Sequence, residues 1–80
     1  MTIGEACRKR ILDLCDERDI TVNKLAIISG VTQSTLNNII SGRNNSATVA
    51  TIKKLCDGLE ISILNFFESD IFSNLEQEIK

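Results

Sequence analysis

Residues 21–42 read TVNKLAIISGVTQSTLNNIISG, and their apolar positions keep helical spacing on both sides of a central glycine. Thr21 is placed to cap a helix, its hydroxyl accepting from a free first-turn amide, and Leu25, Ala26 and Ile28 give that helix an inner side. Gly30 is expected to end it, because a residue without Cβ takes the left-handed turn conformation at no steric cost. Thr32 then caps a second helix running to about Ser41. At roughly 100° per residue, Leu36, Ile39 and Ile40 fall on one side of it, while Gln33, Ser34, Asn37 and Asn38 spread over about 140° on the other.

That outer face is built from amides and hydroxyls, although Glu, Lys and Arg form helices better. An ordinary solvated face is therefore a weaker reading than the edge of a DNA base pair. A Gln or Asn amide pairs with adenine N6 and N7, and Ser donates or accepts.

The flanking sequence supplies three more helices. The first runs from about Gly4 to Arg18, with Ala6, Ile11, Leu14 and Cys15 inward. After a polar loop from Gly42 to Ala47, Thr48 caps a helix carrying Val49, Ile52, Leu55, Cys56 and Leu59. Gly58 weakens that helix by roughly 1 kcal/mol relative to Ala, which points to a close helix crossing or to early fraying. Ser62 caps a short helix, Ile63 to Phe67. Helical spacing returns at Ile71, Phe72, Leu75 and Ile79, in a segment too short to be stable without a surface to lie on. The expected class is all-α, a five-helix domain over residues 1–70 with a helical tail over 71–80.

At 80 residues the chain is long enough for one core, and a separate sensing domain is not expected. Cys7, Cys15 and Cys56 are odd in number and follow no signal-like segment, so reduced thiols in a cytoplasmic protein are expected. No segment has the length to span a bilayer. With no His and no C-x-x-C pair, the sequence lacks zinc ligands and a base for a nucleophile, so neither metal, cofactor nor enzyme activity is expected. The net charge of −2 weighs mildly against nucleic acid, but Glu68, Asp70, Glu76 and Glu78 crowd the C-terminal end and leave most cations before them.

On Leu25-Ala26, Gly30-Val31, Leu36, Ile39, Gly42, Ile52, Leu55, Leu59 and Ile61, the chain resembles the helix-turn-helix regulators of the lambda repressor and Cro type, the XRE family. The resemblance covers roughly Ile11 to Phe67. It implies a five-helix bundle whose second helix crosses the DNA backbone and whose third lies in the major groove. Gln33, Ser34, Asn37 and Asn38 fall where such proteins touch bases, with A·T pairs expected to dominate. Phosphate contacts are expected from Thr21, Lys24 and Thr32 and from Arg43, Asn44, Asn45 and Ser46, the last group being equally readable as a plain polar loop.

Two positions depart from the family pattern. Val22 stands where many relatives carry a Gln that braces the first base-reading Gln. Cys15 and Ile40 occupy the places of a partly buried Arg–Glu pair, an exchange of two charges for packing that can be neutral or stabilising. Arg8, Lys9, Arg10, Lys53 and Lys54 read as solvent-facing. Phe66, Phe67, Ile71, Phe72, Leu75 and Ile79 either complete the monomer core or form a two-fold contact.

The expected function is a sequence-specific transcriptional regulator, a repressor in the first instance, bound as a homodimer to an inverted-repeat operator in double-stranded DNA. No small-molecule ligand is expected. The alternative is a helical protein-interaction module, or an antitoxin-like partner-binding protein, with weak or lost DNA binding.

Overall fold

Each helix starts where a hydroxyl side chain stands ready to cap it. The computed structural model describes residues 1–42 and 47–79 and contains five α-helices: α1 (Ile3–Arg18), α2 (Val22–Ser29), α3 (Gln33–Ser41), α4 (Val49–Leu59) and α5 (Ile63–Phe67). Thr21, Thr32, Thr48 and Ser62 each accept the backbone N–H three residues on, as anticipated. Thr2 does the same at α1 in a reciprocal box, since the Glu5 carboxylate accepts from the Thr2 amide, so the helix begins slightly earlier than Gly4. These bonds link residues close in sequence, which is why composition alone reveals them.

One core joins the helices. Ile11, Leu14 and Cys15 of α1 meet Leu25 and Ala26 of α2, Leu36 and Ile39 of α3, Ile52, Leu55, Cys56 and Leu59 of α4, and Phe66 of α5. Cys7 is a further core member that the inward list for α1 omitted. Ile28 and Val49 do not pack inward; they are 41% and 76% exposed, because the narrow apolar stripes of α2 and α4 are already filled by their neighbours. All three thiols are buried and unbridged, and burial pushes each of them above its ordinary pKa.

The α2–α4 crossing is the most extensive helix contact in the fold. It is made at Gly58, where a Cβ would lie 2.2 Å from Ser29 Oγ and 3.0 Å from Ser29 Cα. Of the two readings of Gly58, close crossing is the one the structure adopts.

Cys15 lies in the core at 4% exposure and Ile40 packs on that same core, with α1 against α3. Among the described residues no ion pair joins these two helices. Packing thus occupies the region where the resemblance implies a salt bridge in many relatives.

The C-terminal segment differs from expectation. In place of a helix over 71–79 there is one 3-10 turn, Asp70–Phe72, followed by irregular chain. Ile79 is 86% exposed, while Phe72 packs its ring 4.9 Å from that of Phe67 and 6.1 Å from that of Phe66 and so serves as an anchor. Beyond it, Ser73 and Asn74 favour turns, and the Glu76 amide donates to the Met1 carbonyl while its carboxylate pairs with the N-terminal ammonium at 3.4 Å. Tying the tail to the start of α1 in this way sacrifices the intrahelical bonds.

Arg10 also departs from its solvent-facing expectation. Its Nε donates to the Phe66 carbonyl at 2.7 Å and its Nη2 to the Asn65 carbonyl at 2.9 Å, closing the exposed end of α5 from across the fold. Short α5 has little stability of its own, so this cap from a distant helix fixes where it sits.

Candidate nucleic-acid interface

The second and third helices are joined by a turn at Gly30, which holds φ of 68° and donates its amide to the Ala26 and Ile27 carbonyls at the C-terminal end of α2. Leu36 and Ile39 are buried beneath α3, so the opposite side of that helix must face outward. Gln33, Ser34 and Asn37 are exposed there, and Asn38 is half-buried at the edge of the same face. Four residues chosen for their spacing are therefore brought onto one surface, with Asn38 the least accessible of them. The side chains of Gln33 and Asn37 project from successive turns of a helix narrow enough to enter a major groove.

Val22, where relatives carry the bracing Gln, is half-buried and packs on the core. Its apolar side chain has no hydrogen bond to offer Gln33.

The candidate phosphate residues separate into two groups. Thr21 and Thr32 are exposed N-caps, each engaged with its own helix through the hydroxyl, and Lys24 is exposed one turn into α2. These three sit at the positive ends of α2 and α3 or close to them, where an anion is favoured. Arg43, Asn44, Asn45 and Ser46 lie outside the described residues.

Several cations elsewhere are committed locally. Lys9 pairs with Asp13 at 3.7 Å, Lys53 is held by Asp57, which keeps its ammonium pKa above the ordinary value, and Arg10 is taken up by α5. Arg8 stands apart. Its Nη1 reaches to 2.9 Å from where a Cβ on Gly42 would be, at the far end of α3. No local pattern in α1 distinguishes it from Lys9, so sequence reasoning passed over it.

A capped helix, a left-handed glycine turn and a second capped helix with a polar outer face, all set on three supporting helices, define a helix-turn-helix domain. The chain belongs to the Cro/C1-type helix-turn-helix DNA-binding domain family, whose model matches residues 10–68. This is a family of DNA-binding domains and not of enzymes.

Among proteins of known designation it is similar to the HTH-type transcriptional repressor RghR of Bacillus subtilis (strain 168), 39% identical over 57 residues, which are 71% of this chain and 42% of the repressor. The HTH-type transcriptional regulator RghRB of the same organism is 35% identical over 57 residues, covering 71% of this chain and 41% of that protein. The chain thus spans about two-fifths of the length of these relatives. A crystal structure of the prophage Lp1 protein 11 superposes with a TM-score of 0.82 at 32% identity, covering 94% of this chain and 99% of that one. No helix among the described residues is long and apolar enough to cross a membrane.

Proposed function

We propose that this chain is a sequence-specific transcriptional regulator, acting as a repressor, that reads the DNA major groove with α3. The observation that carries the reading is the exposed row of Gln33, Ser34 and Asn37, with Asn38 at its edge, on a helix whose other face is buried in a DNA-binding fold. Amides on successive turns meet successive base pairs, and adenine offers them both a donor and an acceptor. The repressor designation of a similar protein supports the direction of regulation.

Thr21, Lys24 and Thr32 set the register through phosphates, joined by Arg43, Asn44, Asn45 and Ser46. One recognition helix covers only a few base pairs, so a homodimer on an inverted repeat supplies the remaining affinity. Leu64, 82% exposed on α5, and Phe67 beside it offer apolar surface of the kind a two-fold contact covers.

The test is selection of binding sites from random duplex DNA. Enrichment of an A·T-rich inverted repeat with half-sites about 34 Å apart is the expected result. Failure to enrich any sequence, with weak binding that does not depend on salt, would instead favour a protein-interaction module.

A further inference from the structure

The far end of α3 poses an electrostatic problem. A nine-residue helix is about 14 Å long, so when the first turn of α3 reaches base edges in the major groove its last turn stands toward the phosphates that wall the groove. Its N-terminus is suited to them. Its C-terminus is not, because the aligned peptide dipoles leave about half a negative charge there. The last turn of α3 has no basic residue to offset this.

Arg8 supplies the missing charge from another helix. It is half-buried on α1, and its Nη1 reaches within 2.9 Å of the position a Cβ on Gly42 would take, directly at the C-cap of α3. The φ of 81° at this cap favours glycine, and a Cβ there would make the guanidinium shift. None of the ion pairs among the described residues uses Arg8. The nearby Glu5 carboxylate is engaged chiefly by the backbone and side chain of Thr2, and the Arg8 charge is the smallest of the influences on it.

Resting on the DNA-reading role above, the geometry points to Arg8 as a phosphate-contacting and positioning residue. It reverses the sign of the α3 C-terminus and binds a phosphate of the DNA backbone there. A full positive charge added to half a negative one makes that end attractive to a phosphate. A guanidinium also offers the forked donors that match phosphate oxygens. The contact carries no base information, so it strengthens binding to all sequences alike.

Arg8→Gln keeps a polar side chain with hydrogen-bond donors but removes the charge, and Arg8→Lys restores the charge. Both are compared with wild type on the selected duplex across a salt series, with helicity and thermal unfolding measured in parallel. Loss of one phosphate contact in each protomer lowers the slope of log K against log salt by about 0.9 per protomer in Arg8→Gln, about 1.8 for a dimer on its inverted repeat, so the affinity lost between about 50 and about 200 mM salt shrinks about 12-fold. Arg8→Lys regains the slope, and base preference is unchanged in a repeated selection. A folded Arg8→Gln protein with the wild-type slope overturns the proposal, since Arg8 would then only cap α3. Should Arg8→Gln unfold, the slope of Arg8→Lys against that of Arg8→Met at low temperature decides by the same criterion. Wild type that selects no duplex at all would remove the DNA-reading role itself, an outcome distinct from an unchanged slope.

Discussion

Gly58 of α4 rests directly on Ser29 of α2, close enough that a Cβ would overlap the Ser29 hydroxyl at 2.2 Å and crowd its Cα at 3.0 Å. The glycine is unfavourable for α4 as an isolated helix and necessary for the crossing. Because α2 carries the turn into α3, this contact sets how α3 stands off the core. Ser29 Oγ is buried with no hydrogen-bond partner among the described residues, so the crossing is made by shape and not by polar bonding.

Gly58→Ala gains about 1 kcal/mol of helix propensity but overpacks the crossing at a cost of about 1–3 kcal/mol, and backbone as well as side chain must move. Urea unfolding is expected to show net destabilisation. Ser29→Ala, which removes a buried hydroxyl without a partner, should be neutral or stabilising and should soften the Gly58→Ala effect only in part, since Ser29 Cα and Cβ still crowd the site. Full additivity of the two substitutions would argue against direct contact.

Arg10 bridges α1 to the end of α5 by two hydrogen bonds to carbonyls. Arg10→Met keeps much of the packing and removes both, for an expected loss of about 1–3 kcal/mol. Arg10→Lys should recover only part of it, as one ammonium cannot reproduce the forked geometry. Equal stability of the Lys variant and wild type would show that charge alone matters here.

Phe72 anchors the tail against Phe66 and Phe67. It is half-buried, so Phe72→Ala should cost about 1–3 kcal/mol, less than the about 3–5 of a fully buried ring. Sedimentation of the same variant separates core from interface: the proposed dimer at Leu64 and Phe67 predicts that Phe72→Ala stays dimeric, whereas Leu64→Glu yields monomers.

Gln33→Ala and Asn37→Ala should each relax preference at one position of the half-site by about 1–3 kcal/mol while leaving stability near wild type, since both side chains are exposed. Sequencing of sites selected with each variant gives the answer. A pattern of preference identical to wild type would remove that residue from the reading face.

The thiols make stability depend on pH in a definite direction. Burial raises the pKa of Cys7, Cys15 and Cys56 in the folded chain, so folding holds their protons more tightly than the unfolded chain does. Their contribution is full below the ordinary thiol pKa of about 8.5 and is lost as pH climbs toward the raised folded values. Midpoints of urea unfolding should therefore fall above about pH 9. At neutral pH a thiol reagent should label the chain only as fast as it opens.

Much of this protein was legible as a string of residues because the deciding chemistry is local. Thr21, Thr32, Thr48 and Ser62 cap helices through amides three residues away, and Leu36 and Ile39 declare the inner face of α3 by spacing alone. The polar row from Gln33 to Asn38 follows from the same periodicity. Tertiary structure decided what no period records. Arg10 binds carbonyls 56 and 55 residues away, Gly58 meets Ser29 across a helix crossing, and Arg8 comes to rest at Gly42. Each of these depends on the angle and distance at which helices pack, which side-chain volumes throughout the core set together. The tail shows the same division, since its apolar spacing suggested a helix but the pocket beside Phe66 and Phe67 held Phe72 in a single turn.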